Sequence, residues 1–439
     1  MRPGDGAHRR GHHREARHRA GRVRRYRHLR GKGACKCCLI LVQEPAAPQI
    51  IERGMPAAGL LAHTLVSRIV DHVPYHRQEQ INARSGVHTP RSTLAAWAGR
   101  TGAQLEPLYG ARRAFVLGSQ VLHVDETPVA MLDPGAGKTK RAYVWAYARG
   151  AFDAEPGVAY NFRASRAARH PVEFLQGWSG TLVCDGYAVC DSGVKLEQRH
   201  LAGCAAHARR KLEEVAKDRH SPVATEALQR IAWLYRIERE IKELNIDDRL
   251  AVRQTRSVPL WEELHVWLRL ERQRVPDGSA IAQAIDHSLN RWSALTRNRQ
   301  DAAVPIDNNH CENLIRPWAM GRKAWLFAGS ELAGQRAAMV MSLLQSARLN
   351  GHDPWADLRD VLTRLPTPLN SRRPRADDLT DPNATRRSAP RQGAVPRRLR
   401  TPQQRRRTTA RGRPAAPSGR PIPTPQDPNR RPRLTQSRS

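Results

Sequence analysis

The sequence predicts an α/β core, a mixed sheet with helices, interrupted by an all-α insertion. A helical N-terminal region precedes the core, and disordered basic segments bound it at both ends. Three observations predict this. Short runs rich in β-branched and aromatic residues cluster between residues 121 and 204. Longer stretches with apolar residues at helical spacing fill the rest of the span from about 55 to 366. Charge piles up outside that span. Of a formal net +33 over 439 residues, residues 1–33 carry 12 Lys/Arg against two acidic residues, and residues 371–439 carry 19 Arg against four Asp.

The ends come first because they bound the function classes. Residues 1–33 are Arg/His/Gly-rich and hold too few apolar side chains to offset the entropy of ordering, so they are expected to be disordered alone. Residues 367–439 read as a disordered Arg/Pro-rich tail; from 371 onward it has no aromatic residue, Cys or Met. So much positive charge implies a polyanionic partner. Nucleic acid is the first candidate and a membrane surface the second, since each neutralised phosphate releases counterions. No apolar run approaches the ~18 residues that span a bilayer. Leu39–Val42 is shorter than the about 7–15 apolar residues of a signal-peptide core. The expectation is a cytoplasmic protein that meets DNA and no membrane. The seven cysteines, three of them at Cys35, Cys37 and Cys38, do not form a disulfide framework.

Residues 55–115 read as helical. Leu60, Leu61, Leu65 and Ile69 recur at helical spacing. Two short helical patterns then flank the turn Ser85-Gly86-Val87, as in a helix-turn-helix or a plain helical hairpin. Thr89 or Ser92 is a candidate cap for the second, with Pro90 near its first turn. Residues 116–220 change character. Val121–Asp125, Arg141–Arg149 and Gly157–Phe162 read as strands, His170–Trp178 as a helix, and Thr181–Cys184 as a fourth strand. Three strands, a helix and another strand is the order that opens an RNase H-like sheet. Ala202–Cys204 is a candidate fifth strand running into a helix at Ala206–Lys217. Residues 221–300 read as long amphipathic helices (Ala224–Leu244, Leu250–Leu270, Ile281–Ala294), a helical insertion. Residues 301–366 supply the last helices of the core.

Three carboxylates stand out. Asp125 ends the first strand in His-Val-Asp-Glu-Thr-Pro-Val, Asp185 follows the fourth in Leu-Val-Cys-Asp-Gly-Tyr, and Glu312 opens a late helix in Asp-Asn-Asn-His-Cys-Glu-Asn. A carboxylate within or just past an apolar strand is costly unless it meets a partner or a metal. Three from different elements suit two divalent ions about 3.5–4 Å apart, and oxygen-only ligands favour magnesium or manganese. Each residue also has a plainer reading. Glu126 adjoins Asp125, and one of the two must face away. Asp185 precedes Gly186 and reads equally as a turn residue, and Glu312 as a solvated helix residue.

Residues 54–366 resemble the insertion sequence 66 family of transposases. Arg53–His76 and Arg91–Trp97 are similar to its N-terminal helical part. His123–Val129 resembles the stretch around its first catalytic Asp, with Glu126 where the family often has Asp. Asp185-Gly186-Tyr187 is similar to the second motif. Asp307–Pro317 followed by Gly321–Ser330 is the most specific match, and Ser342–Pro354 resembles the downstream helix and turn. The resemblance implies a DNA transposase with an RNase H-like core. Its metal-binding and catalytic DDE trio would be Asp125, Asp185 and Glu312, with two magnesium or manganese ions cleaving and joining DNA at element ends. It also implies a homo-oligomer on DNA and accessory proteins of the same element. Arg316 lies four residues beyond Glu312 on the same helical face. With Arg322, Lys323 and Arg91 it is expected to contact nucleic acid. Cys204 and His207 in Cys-Ala-Ala-His also match the family; two ligands are too few for a metal, and a packed Cys and His is the reading adopted.

The chain departs from the family at its ends. The resemblance implies a zinc ribbon of two CxxC knuckles before the core. Residues 34–54 resemble only the second half, with Cys35 and Cys38 at that spacing, and a closed zinc site wants four ligands. The Arg/Pro tail departs as well. The alternative expectation is therefore a frameshifted, catalytically inactive remnant that only binds DNA.

Overall fold

The structure is a computed structural model that describes residues 11–19, 22–34, 37–38, 41–43, 47–185 and 199–366. The expected tail, Cys35, and the Gly186-Tyr187 part of the second motif lie outside the described residues. The chain begins with an antiparallel pair, β1 (Gly11–Arg19) and β2 (Arg22–Arg30), followed by a second short pair, β3 (Lys32–Ala34) and β4 (Leu41–Gln43). Regular structure here differs from the disorder expected of residues 1–33. A two-stranded ladder is held by backbone hydrogen bonds, and here Val23 adds an apolar anchor in the main core.

Helices α1 (Ala58–Ile69), α2 (Tyr75–Arg84), α3 (Arg91–Gln104) and α4 (Glu106–Leu117) follow, in the region read as helical. Ser85 and Gly86 make the turn before α3, and Gly86 takes the φ of +71° that a glycine tolerates best. Pro90 is the N-cap of α3 without a side-chain bond, so neither Thr89 nor Ser92 caps it.

The sheet has five strands: β5 (Val121–Asp133), β6 (Lys138–Arg149), β7 (Val158–Arg163), β8 (Thr181–Cys184) and β9 (His200–Gly203). Their order is β7-β6-β5-β8-β9. β5, β6 and β7 pair antiparallel in sequence, while β8 and β9 add parallel on the other side of β5. Helix α5 (Arg169–Phe174) connects β7 towards β8. Gly180 makes the entry to β8: a Cβ there would run into the Gln120 carbonyl. That close approach lets Thr181 N–H bond to Gln120 at 2.9 Å and start the β5–β8 ladder.

Side chains alternate across a strand. Asp125 lies opposite Ala146, Thr127 opposite Val144 and Val129 opposite Ala142, so these six share one face. Val129, Val144 and Ala146 belong to the largest core, together with Cys311, Leu314 and Val340. Leu122, Val124, Trp145 and Tyr147 fill the opposite face against Phe174 and Trp178. Each of these buried large side chains is worth about 1.5–3 kcal/mol of transfer free energy.

Beyond β9 the described chain is helical: α6 (Ala205–Arg219), α7 (Pro222–Glu240), α8 (Ile246–Val252), α9 (Val258–Arg274), α10 (Ala280–Leu289) and α11 (Trp292–Leu295). These pack their own core around Leu212, Ile231, Leu234, Trp261 and Ile285. Between α8 and α9 the helix widens into a π turn at Arg253–Ser257. The fully buried Arg253 there pairs with Glu238 at 2.6 Å and donates to the carbonyls of Asn298, Asp301, Ala302 and Val304. The last helices are α12 (Asn309–Trp325), α13 (Glu331–Leu349) and α14 (Pro354–Arg364). Tyr160 of β7 fixes two of them to the sheet: its hydroxyl donates to the Leu314 carbonyl at 2.5 Å, and its N–H donates to Ser342 Oγ at 2.8 Å. No helix among the described residues is long and apolar enough to cross a membrane.

Candidate active site

Three elements bring the carboxylates to one region. Asp125 sits in the middle strand on the α12 face, Asp185 directly follows β8, which is parallel to β5, and Glu312 lies in the first turn of α12. The parallel register, Val121 with Thr181 through His123 with Val183, levels Asp125 inside β5 with Asp185 just past the end of β8. Burial, and then the nearby Glu126, Asp185 and Glu312 carboxylates, push Asp125 up to about 7. One hydrogen bond opposes this: Asp125 Oδ1 accepts the Glu126 N–H at 2.8 Å.

Glu126 points to the other face, as alternation requires. It pairs there with Arg166, whose Nε donates to Glu126 Oε1 at 2.7 Å. Burial raises the Glu126 carboxyl and the Arg166 bond lowers it. The structure thereby puts the two neighbouring acids on opposite faces of the sheet, as the sequence reading required.

Asn308, fully buried, ties the start of α12 to β5. Its Nδ2 donates to the Val124 carbonyl at 2.9 Å, so its Oδ1 is the acceptor facing His123 Nδ1 at 2.8 Å. His123 Nδ1 therefore carries the proton. Burial, and then His310 with its ring 5.2 Å away, hold the imidazole down to about 3, against the Asn308 bond. His123 is thus a neutral support under Asp125 that stays uncharged near neutral pH.

Glu312 meets two groups from α6. His207 Nδ1 lies 3.5 Å from its Oε1, and Arg210 Nη2 lies 3.6 Å from its Oε2. Asn308 N–H donates to Cys204 Sγ at 3.2 Å, and burial pushes the Cys204 thiol up to about 12. Among the described residues, the three side chains whose ligand atoms all lie within 4.8 Å of one another are Cys204, His207 and Glu312. Sequence reasoning took Cys204 and His207 as a packed pair. The Cys-x-x-His spacing was the visible signal; their meeting with Glu312 was not.

The basic residues divide. Arg316 and Lys323 are exposed on α12. Arg322 is engaged with β5: its Nη1 donates to Thr127 Oγ1 at 3.0 Å and to the Pro128 carbonyl at 2.8 Å. The segment after α12 then bridges to the end of β5, Ala328 N–H bonding to Ala130 at 2.8 Å. Arg91 is exposed at the start of α3, and no described contact brings it to the carboxylates. Cys38 is exposed in the turn between β3 and β4.

Comparison with known proteins fits this arrangement. The family profile described as Transposase IS66 family matches residues 53–336, and the IS66 C-terminal element matches residues 342–376. Three relatives come from Sinorhizobium fredii (strain NBRC 101917 / NGR234). The chain is 36% identical over 356 residues to the uncharacterized protein y4jD, covering 77% of this chain and 68% of that protein. It is 37% identical over 336 residues to the uncharacterized protein y4qI, covering 74% of this chain and 62% of that one. It is 34% identical over 355 residues to the uncharacterized protein y4hP, covering 77% and 64%. The chain thus spans about two thirds of the length of these relatives. With both profiles matched in order across the sheet, the helical segment and the last helices, the chain belongs to the IS66 family of transposases.

Proposed function

We propose that this chain cuts and joins DNA strands at the ends of a bacterial insertion sequence, with Asp125, Asp185 and Glu312 as its catalytic DDE trio on an RNase H-like core. The observation that carries the reading is the convergence of three carboxylates, from β5, the end of β8 and the first turn of α12, in a chain of the IS66 transposase family. The strand order β7-β6-β5-β8-β9, with antiparallel pairs on one side of β5 and parallel pairs on the other, supports the RNase H-like assignment. Residues 221–300 are then a helical insertion between the second and third carboxylates.

The donor set fits hard divalent cations, magnesium or manganese. The three groups are all carboxylates, they repel one another at a partly buried site, and Glu312 Oε1 is buried without a hydrogen bond. Asp125, Asp185 and Glu312 would hold them, and such ions would supply charge neutralisation at a reacting phosphate and a deprotonated oxygen nucleophile. The chain's own residues do the positioning. The Glu126 N–H orients the Asp125 carboxylate, and Asn308 and His123 fix the start of α12 against β5. Arg316 and Lys323, exposed on α12, are placed by this reading along the DNA backbone, and Arg91 extends that contact from the N-terminal helices. Arg322 acts through β5, keeping α12 seated.

The test is cleavage of DNA carrying the element's own ends, in magnesium or manganese. Asp125→Asn, Asp185→Asn and Glu312→Gln are each expected to abolish cutting while DNA binding stays within about twofold, because the charge that binds DNA lies elsewhere. A variant that still cuts removes its carboxylate from the mechanism. Binding without cutting by the unaltered chain identifies it as a binding-only remnant.

A further inference from the structure

Beside the carboxylates the fold assembles a donor set of a different chemistry. β9 ends at Gly203, Cys204 is the N-cap of α6, and His207 lies in its first turn. Two bonds join this helix start to that of α12: Ala205 N–H to the Ile306 carbonyl at 3.1 Å, and Asn308 N–H to Cys204 Sγ at 3.2 Å. His207 Nδ1 and Glu312 Oε1 face each other at 3.5 Å, both buried from solvent and neither hydrogen-bonded. With Cys204 Sγ the ligand atoms span no more than 4.8 Å. Ligands at about 2.0–2.3 Å from one tetrahedral ion lie roughly 3.3–3.8 Å apart. The His207–Glu312 separation already fits, and a closure of up to roughly 1.3 Å brings in the sulfur.

Thiolate, imidazole and carboxylate together suit zinc, whereas magnesium takes oxygen ligands. The Asn308 N–H aimed at the sulfur is a hydrogen bond that a metal-bound thiolate would keep. Arg210, on the other oxygen of Glu312, has a side chain 54% exposed and room to turn away.

We propose that Cys204, His207 and Glu312 form a binding site for a zinc-class divalent cation, and that an ion held there withdraws Glu312 from Asp125 and Asp185. Binding exchanges the thiol proton for a sulfur–metal bond and releases that proton to solvent, with no change of oxidation state. The second half rests on the reading of Glu312 as the third carboxylate; the first half does not.

The experiment titrates cobalt(II), a spectroscopic substitute for zinc, into the full-length chain carrying Cys35→Ser, Cys37→Ser and Cys38→Ser, so that N-terminal thiols contribute nothing. A near-ultraviolet sulfur-to-cobalt charge-transfer band is expected, bleached when zinc is added. Adding Cys204→Ser is expected to remove it, and His207→Gln to weaken cobalt affinity roughly tenfold or more. His207→Gln carries the test if Cys204→Ser loses its far-ultraviolet helical signal. No band, or a band indifferent to both substitutions, overturns the site. Asp125→Asn and Asp185→Asn are expected to keep the band. For the withdrawal, zinc is expected to suppress magnesium-supported cleavage in the unaltered chain, relieved by His207→Gln relative to its own zinc-free rate; equal suppression in both overturns it. A His207-dependent band with cleavage indifferent to Glu312 leaves the site standing and overturns the catalytic reading. Carboxylate-dependent cleavage without a band does the reverse.

Discussion

Replacing Asp125 with Asn should stabilise the metal-free protein, and by an amount that grows with pH. Burial and the neighbouring carboxylates hold Asp125 near 7, against 3.8 for an ordinary aspartate. Between those values the native chain keeps a proton that the unfolded chain has lost, so stability falls as pH rises through that window and levels off above 7. At ~1.4 kcal/mol for each pH unit, the cost of the native charge reaches about 4 kcal/mol at pH 8 and about 1–2 kcal/mol at pH 5. Asn is never charged, yet its Oδ1 still accepts the Glu126 N–H. The advantage of Asp125→Asn in urea unfolding should therefore widen from about 1–2 kcal/mol at pH 5 to about 2–4 kcal/mol at pH 8, relaxation and water entry trimming the upper value. Adding manganese at 100 times its dissociation constant should return about 2.7 kcal/mol to the unaltered protein and much less to the variant. A variant no more stable than the unaltered chain at pH 8, or one whose advantage is the same at both pH values, would refute the reasoning.

Two other perturbations separate the scaffold from the charge. Asn308→Ala strips the fully buried His123 of its Nδ1 partner and frees the start of α12; a loss of about 2–4 kcal/mol is expected in urea unfolding, and a loss under about 0.5 kcal/mol would mean that this junction does not hold the site. Deleting residues 371–439 removes 19 Arg and should flatten the salt dependence of non-specific DNA binding; an unchanged slope of log affinity against log salt would mean that this segment does not touch phosphates.

Much of the sheet was legible because its strands are apolar and punctuated. Thr181–Cys184 was read to the residue, being buried throughout between clear turn signals. β5 was read only as far as Asp125, where its apolar run stops. It runs on to Asp133 because β6 supplies a partner down to Lys138 and Ala328 closes the far edge, neither of which is local information. The segment 221–300 was legible as helices but not as a core with a buried cation. The reading gave one helix over Leu250–Leu270, and the π turn at 253–257 within it aims Arg253 at four carbonyls. The basic N-terminal ladder was not legible, since composition reports the absence of an apolar face and says nothing of backbone pairing.

The three carboxylates stood out in the sequence as residue types at strand and helix ends, and the role proposed for them came from motif resemblance. The Cys204–His207–Glu312 convergence was hidden for a physical reason. A long helical segment separates the first two from the third, and their meeting depends on the Asn308 and Ile306 bonds that return the chain to the end of β9.

The most direct test of the central claim is manganese binding itself, read by electron paramagnetic resonance on the full-length chain without DNA. The account predicts bound manganese at the trio, with affinity falling roughly tenfold or more in each of Asp125→Asn, Asp185→Asn and Glu312→Gln, and persisting in a variant of an exposed carboxylate such as Asp277→Asn. Manganese binding that is equally strong in all four variants would contradict it, and would leave the three carboxylates without a common task.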